Sequence, residues 1–140
     1  VKSLCFDVGI KSSLLLTGHN GAGKSSIFRS LAGLWNVDRG TITKPPTSST
    51  FYLPQKPYNV VGTLVDQITY PEEGGTRNIS RETLRSILSQ VELEYLLDRP
   101  GVLEREINWE DELSLGEKQR LAIARVLYHK PRYCILDECT

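Results

Sequence analysis

The feature that most constrains this chain of 140 residues is a glycine-rich stretch, GHNGAGKS, at positions 18–25. Its three glycines keep side chains out of the way, so that consecutive backbone N–H groups can point at one anion. The lysine that follows adds a positive charge, and the serine adds a hydroxyl. A short apolar run precedes the stretch, and apolar residues at helical spacing follow it. This context of strand, loop and helix favours a P-loop that binds phosphate over a glycine-rich turn that binds nothing.

The elements on either side of the loop complete this prediction. Residues 14–17 predict a short buried strand, and the apolar positions 27, 28, 31, 34 and 35 predict a helix from Lys24 onward. The N-terminus of that helix adds the positive end of its dipole. We expect Lys24 to place its charge on the β- and γ-phosphates of ATP, and the Ser25 hydroxyl to ligate Mg²⁺. The predicted nucleotide-binding residues of the loop are Gly18, His19, Asn20, Gly21, Ala22, Gly23, Lys24, Ser25 and Ser26.

Periodicity and turn residues outline the rest of the chain. Residues 41–50 predict a loop with short flanking strands, and residues 51–53 predict a strand that Pro54 stops. Two glycines at 74–75 indicate a flexible connection. Ser80 is a candidate N-cap for a helix with apolar residues at 84, 87, 88 and 91. Residues 116–128 predict a largely buried helix that Pro131 blocks, and residues 133–136 predict a second buried strand.

Two carboxylates, Asp137 and Glu138, follow that second strand directly. On their own they could be solvated acids at a strand end. In P-loop enzymes, however, a carboxylate at such a strand end helps to hold Mg²⁺, which is the role predicted for Asp137. A second carboxylate beside it can polarise the attacking water, so Glu138 is the candidate general base.

Two further patterns indicate little by themselves, but their positions along the chain are informative. Gln55 follows the strand at 51–53 and would by itself be a surface glutamine in a proline-rich turn. The run LSLGEKQR at 113–120 opens the long helix and would by itself be an ordinary helix cap. A small hydroxyl and a glycine at a helix start also make an anion site. Both patterns lie between the P-loop and the two carboxylates.

In this order the four patterns resemble those of the ATP-binding cassette (ABC) ATPases: P-loop, Q-loop, signature and Walker B. The run at 113–120 is similar to the LSGGQ signature, with Leu115 in place of the first glycine and Glu117 in place of the glutamine. The resemblance implies an α/β fold: a P-loop NTPase with an ABC-type ATPase core. Residues 1–140 would form a partial nucleotide-binding domain, truncated at both ends, with a helical subdomain at about 60–128.

The resemblance also implies the roles of residues outside the P-loop. Gln55 would contact Mg²⁺ or the attacking water and would couple the domain to its membrane part. Two nucleotide-binding domains would close head to tail around two ATP molecules. Ser114 and Gly116, with Glu117 in the same nucleotide-binding set, would then face the γ-phosphate of the ATP held by the partner domain. The implied partners are a second nucleotide-binding domain and a transmembrane domain, in the same chain or in a partner chain.

Four passages narrow the resemblance to subfamily D of the ABC transporters. They read FRSLAGLW at 28–35, YLPQKPY at 52–58, WEDELSLGE at 109–117 and YHKP at 128–131. The implied function is ATP hydrolysis that powers transport of fatty acids or acyl-CoA esters into peroxisomes. The protein would lie in the peroxisomal membrane with this domain facing the cytosol. A transporter of another cargo, or a soluble ABC ATPase, is the alternative.

The charge balance and the motifs argue against several other functions of a P-loop protein. Seventeen basic and seventeen acidic residues balance, and there is no basic stripe, so we expect no nucleic-acid partner. The interval between P-loop and signature also lacks the long coiled coil of DNA-repair relatives. A P-loop kinase would have no use for the signature or for Gln55. A regulatory domain that binds ATP without hydrolysing it stays open because of Leu115, although Glu138 argues for hydrolysis.

Several expected parts of such a domain lie outside this sequence. The first residue is not Met, and the last residues follow directly on a strand pattern, so we interpret the chain as a fragment. An aromatic residue that stacks on adenine would precede it, and the D-loop and the switch histidine would follow it. We therefore expect the 140 residues alone to bind nucleotide weakly and to hydrolyse little.

Overall fold

The computed structural model describes residues 4–72 and 79–137. The chain divides into two compact units, residues 1–44 and 45–140. The predicted general base Glu138 and the predicted connection at 74–75 lie outside the described residues. The described elements are α1 (Lys24–Leu31), β1 (Thr50–Leu53), β2 (Val61–Gly62), α2 (Leu64–Thr69), α3 (Arg81–Gln90), β3 (Ile107–Asn108), α4 (Trp109–Glu112), α5 (Leu115–His129) and β4 (Tyr133–Leu136).

The first unit is built around α1, which begins directly after the glycine-rich loop. The helix ends earlier than predicted, because the chain turns at Gly33. The Leu34 N–H donates to the Arg29 carbonyl over 2.9 Å, and the Gly33 N–H donates to the Ser30 carbonyl over 3.0 Å. These two bonds satisfy the last carbonyls of the helix and stop it. Leu34 and Trp35 therefore lie beyond α1 and are 72% and 48% exposed.

The predicted strand at residues 14–17 is wrong. These residues have no strand structure, and Leu15 is 83% exposed. A strand exists only when its backbone groups pair with a neighbouring strand, and the described residues of this unit, 4–44, contain none. The strand predicted at the start of the 41–50 loop is wrong for the same reason. At the end of that loop a 3₁₀ turn, Thr47–Ser49, leads into β1.

The second unit contains a parallel pair of strands. β1 confirms the strand predicted at 51–53, and it pairs with β4 in a register that runs from Thr50 opposite Tyr133 to Leu53 opposite Leu136. The strand predicted at 133–136 is confirmed as β4, but it is not buried on both faces. Its residues alternate between partly buried and exposed, and Leu136 is 59% exposed. Successive side chains of a strand point to opposite faces, and one face of β4 is open to solvent.

The helices of the second unit surround its hydrophobic core. Ser80 is confirmed as the N-cap of α3, since its hydroxyl accepts from the Thr83 N–H over 3.1 Å. The predicted helix at 116–128 is confirmed as α5, whose residues 117–129 are all at least partly buried. The buried core residues are Leu64, Ile68, Leu84, Ile87, Leu88, Val91, Leu93, Leu96, Val102, Trp109, Leu113, Leu121 and Ala124.

Candidate functional site

The glycine-rich loop is a tight turn that leads into α1. The Ala22 N–H donates to the His19 carbonyl over 3.1 Å. Gly21 and Gly23 have φ angles of 82° and 97°, which residues with a Cβ rarely adopt, so both positions require glycine. Gly23 is the N-cap of α1, and residues 18–22 are exposed to solvent. The sequence therefore produces an open loop whose backbone is accessible to a ligand.

The side chain of Lys24 folds back over this loop. Its ammonium group donates to the Gly18 carbonyl over 2.8 Å and to the His19 carbonyl over 3.1 Å. The positive charge is thus held at the mouth of the loop. Phosphate oxygens are stronger acceptors for an ammonium group than neutral carbonyls are, because the bond is then between opposite charges.

The beginning of α1 fits an anionic ligand. No side chain caps it, and no acidic residue lies in its first turn. The N–H groups at the start of a helix have no partner within the helix, and they carry the positive end of its dipole. Ser25 and Ser26 add two hydroxyl groups in the same turn. Backbone donors, a cation and a hydroxyl are the groups that bind a nucleotide triphosphate with Mg²⁺, so the residues present fit that ligand.

Gln55 and Asp137 both follow strands that end at the same edge of the sheet in the second unit. Gln55 follows the end of β1, and Asp137 follows the end of β4. The Asp137 N–H donates to the Leu53 carbonyl over 2.9 Å, which continues the ladder one residue beyond the paired strands. The carboxyl ends of parallel strands form the edge where α/β proteins bind their ligands. The two predicted Mg²⁺ ligands of this unit therefore share an edge of the sheet.

The run at 113–120 begins α5 with a capping box. The Ser114 N–H donates to the Glu117 carboxylate over 2.7 Å, and the Ser114 hydroxyl accepts from the Glu117 N–H over 3.4 Å. The Ser114 and Tyr95 hydroxyl groups also donate to the same carboxylate. Glu117 therefore places its own negative charge at the helix N-terminus, the position that a phosphate would take. The structure confirms the helix cap, and the contact of Ser114, Gly116 and Glu117 with nucleotide stays a prediction.

The hydrogen bonds at this cap lower the pKa of Glu117 to about 2 from the ordinary 4.5. The Ser114 hydroxyl is the largest cause, followed by Tyr95 and the Ser114 backbone. A carboxyl whose pKa is lower in the folded state stabilises the fold above its ordinary pKa, and that stabilisation is lost as pH falls through the folded value. Burial and contact with Glu117 in turn raise the pKa of Tyr95.

We expect Glu117→Gln to flatten the acid dependence of stability between about pH 4.5 and pH 2. The single glutamine oxygen can still accept from Ser114, but the amide has no proton to gain. The thermal midpoint of the purified protein, measured at intervals of pH across this window, checks the result. Glu104→Gln removes an exposed carboxyl elsewhere in the unit and serves as the control. A Glu117→Gln protein with the same acid dependence as the wild type would contradict the role of the cap.

Sequence reasoning missed two side chains near these motifs. Tyr95 contacts Glu117 from a 3₁₀ helix, Glu94–Asp98, that carries no motif. Arg125 is 4% exposed and hydrogen-bonds to the segment that follows Gln55. A signal for Arg125 was present: it is a lone charge in the apolar run LAIARVL, four residues after the buried Leu121 and so on the same face of α5.

The loop, the uncapped helix start and the parallel strand edge define a protein of the P-loop NTPase class. Comparison with known proteins narrows this class to one family, since the profile of the family described as "ABC transporter" matches residues 1–140. The chain belongs to the ABC transporter family, which confirms the predicted fold class. Among its described residues, no helix is long and apolar enough to span a bilayer.

Its relatives confirm the resemblance to subfamily D. The chain is 51% identical to "ABC transporter D family member 1" of Arabidopsis thaliana, with all of the chain and 11% of the relative covered. It is 46% identical to "ATP-binding cassette sub-family D member 3" of Mus musculus, with all of the chain and 22% of the relative covered. It is 48% identical to "ATP-binding cassette sub-family D member 1" of Drosophila melanogaster, with 99% of the chain and 20% of the relative covered. The chain thus spans less than a quarter of the length of these relatives.

Proposed function

We propose that this chain is the part of a membrane transporter that binds and hydrolyses ATP, and that the transporter moves fatty acids or acyl-CoA esters into peroxisomes. The observation that carries the ATP site is the position of Lys24, whose ammonium group donates to two loop carbonyls beside the uncapped start of α1. A cation held over an open loop of backbone donors is suited to the terminal phosphates of a nucleotide.

Each predicted site residue has a role in this proposal. Lys24 and the backbone N–H groups of residues 18–26 hold the phosphates. Ser25, Gln55 and Asp137 would hold Mg²⁺, which would supply further neutralisation of phosphate charge. Glu138 accepts the proton of the attacking water, and Gln55 orients that water. Gln55 and Asp137 follow strands that end at the same edge of the sheet, which supports their joint role in binding Mg²⁺.

The partners in this proposal are a second nucleotide-binding domain and a transmembrane domain. Ser114, Gly116 and Glu117 face the ATP held by the second domain. Their exposure at the start of α5, where Ser114 and Gly116 are open to solvent, supports a role in contact with a partner. ATP between the two domains favours their closed arrangement, and hydrolysis releases it. Residues from about 60 to 128, which include α2, α3, α4 and all but the last residue of α5, act as the helical subdomain of the cassette.

Membership of subfamily D supports a peroxisomal location with this domain on the cytosolic side. The test is reconstitution of the intact protein in lipid vesicles with its nucleotide-binding domains outward. We expect Mg²⁺-dependent ATP hydrolysis that vanadate inhibits, and uptake of a labelled long-chain acyl-CoA or fatty acid that requires ATP. Hydrolysis without uptake of either compound would contradict the cargo, and absence of hydrolysis would contradict the ATPase.

Changing Glu138 to glutamine in the intact protein should trap ATP. The variant keeps the size of the side chain but cannot accept a proton, and loss of a general base lowers hydrolysis by about 10²- to 10⁴-fold. Nucleotide retained by the washed protein should then be ATP, whereas the wild type should retain ADP. Glu106→Gln, at an exposed position, is the matched control. Unchanged hydrolysis in the Glu138→Gln protein would remove the general-base role.

A further inference from the structure

A buried arginine joins α5 to the segment that follows Gln55. Arg125 is 4% exposed, and neutral oxygens accept its hydrogen bonds. Its Nε donates to the Gln67 carbonyl over 2.6 Å, and one terminal nitrogen donates to the Tyr58 carbonyl over 2.5 Å. The other terminal nitrogen donates to the side-chain oxygens of Asn59 over 3.4 Å and Gln67 over 3.2 Å. The guanidinium also lies 5.4 Å from the centre of the Tyr70 ring.

The segment at 58–60 is held from a second direction by Gln67. The Val60 N–H donates to the Gln67 side-chain oxygen over 3.1 Å, and the Gln67 side-chain nitrogen donates to the Val60 carbonyl over 2.8 Å. Gln67 is fully buried in α2 and also accepts from Arg125. Both polar ends of the Gln67 amide are therefore used to fix this short piece of chain between α2 and α5.

A second tie connects the same segment to the beginning of α5. The Asn59 side chain donates to one Glu110 oxygen over 3.1 Å, and Lys118 lies 2.9 Å from the other Glu110 oxygen. Hydrogen bonds from Lys118 and then from Asn59 lower the pKa of Glu110. Lys118 and Arg125 are seven residues apart, which is about 10 Å along a helix. Two ties at that separation resist both rotation and sliding of the segment against α5.

Packing alone does not explain why an arginine occupies position 125. Burial lowers the pKa of Arg125 to about 10, so the side chain still carries its charge at neutral pH. No carboxylate of residues 4–72 or 79–137 forms an ion pair with Arg125. A buried cation without such a partner is costly, and an apolar residue of similar volume would fill the space at lower cost. What an apolar residue would lack is the rigid fork of donors, which fixes the direction of the 58–60 backbone relative to the helix.

We propose that Arg125 is a positioning residue, which locks residues 58–60 to α5 so that Gln55 and Ser114 keep a fixed relation to each other. Gln55 lies three residues before this segment, and Ser114 caps the helix that carries Arg125. The proposal rests on the proposed function for the roles of those two residues. Each ATP site needs Gln55 from one domain and Ser114 from the other. Both residues can reach their ATP molecules together only when Arg125 holds the 58–60 segment in place against α5.

The first test is steady-state ATP hydrolysis and fluorescent-ATP binding by the intact transporter carrying Arg125→Met. We expect ATP affinity within about twofold of the wild type, because the P-loop is unchanged, but kcat lower by roughly tenfold to a hundredfold, as for other misplaced catalytic groups. Arg125→Lys keeps the charge but not the fork, and kcat should lie between the two. Arg85→Met removes an exposed arginine of the same unit and should leave kcat unchanged.

The second test is hydrogen exchange at the Val60 amide, which reports on the lock without any hydrolysis. In Arg125→Met this amide should exchange faster, while the amides of α5 keep their protection. Lys118→Met, which breaks the other tie, should give the same pattern with a smaller effect, and it provides a variant if Arg125→Met does not fold.

The outcomes separate this proposal from the proposed function. Wild-type protein without ATPase activity would refute the function, and the exchange result would still decide on the lock. Active wild type with unchanged kcat in Arg125→Met would overturn the positioning role. So would a parallel fall in yield, affinity and kcat in both the Met and Lys variants, because that pattern marks a residue needed only for folding.

Discussion

Replacing Lys24 with alanine in the intact protein should lower kcat for ATP hydrolysis by about 10²- to 10³-fold, the effect of removing one preorganised group that stabilises transition-state charge. The ammonium group of Lys24 is held over the loop by the Gly18 and His19 carbonyls at 2.8 and 3.1 Å. It is thus in place before nucleotide arrives, and little reorganisation is needed to bring it onto a phosphate. The measurement is steady-state hydrolysis with saturating Mg²⁺ and ATP.

Two further variants sharpen this prediction. Lys24→Arg keeps the charge, but its planar fork cannot reproduce a compact cation between the two carbonyls, so we expect it to stay impaired. Arg39→Ala removes an exposed cation from the same unit and should hydrolyse ATP at the wild-type rate. Wild-type activity in Lys24→Ala would show that the loop does not hold the reacting phosphates, whatever the result for Arg39→Ala.

The parts of the fold that were predictable from sequence are those set by local chemistry. Ser80 caps a helix because its hydroxyl reaches an N–H three residues on, and that bond depends on nothing distant. Pro54 stops β1 and Pro131 follows α5 for equally local reasons. The glycine-rich loop belongs to the same group, since Gly21 and Gly23 are required by the backbone angles of the loop itself.

The wrong predictions concern partners that a local pattern does not contain. Residues 14–17 are apolar enough for a buried strand, but a strand also needs a neighbour, and the first unit offers none in its described residues, 4–44. The predicted end of α1 was wrong for a different reason. Gly33 was visible in the sequence, but the apolar residues at 34 and 35 continued the helical spacing and outweighed it.

The candidate site also has parts with local causes, which sequence can predict, and parts that depend on distant residues. The geometry of the glycine-rich loop could be predicted because its glycines and the helix that follows have local causes, and the binding of nucleotide by its residues stays a prediction. The behaviour of Glu117 could not, because two chemical roles compete at one place. A glutamate three residues after a serine is a helix-capping pattern, and here it puts a carboxylate where a phosphate was expected. Arg125 was missed because its acceptors lie 58 to 67 residues away in sequence.

Trp109→Ala should be the most destabilising single change among the described residues of the second unit, lowering its free energy of unfolding by about 3–5 kcal/mol. The indole is fully buried in the core, and its N–H donates to the Gly62 carbonyl over 2.8 Å. Alanine would leave both a cavity and a buried carbonyl without its donor. The thermal midpoint and the yield of the purified protein measure the effect. Trp35→Ala removes a half-exposed tryptophan whose ring lies under the Arg29 guanidinium, and it should cost no more than about 1 kcal/mol.

Trp109→Phe separates the two contributions. It keeps most of the buried ring but removes the indole N–H that donates to the Gly62 carbonyl, so we expect a loss of about 1–3 kcal/mol. Trp109 directly follows β3, which pairs with β2 at Gly62, and α4 ends two residues before Ser114. Loss of the indole should therefore loosen the start of α5 before the rest of the core, and exchange at the Glu117 amide should rise first. If that amide keeps its protection in Trp109→Ala while the core melts, the tryptophan supports the core alone and has no specific role in holding the signature.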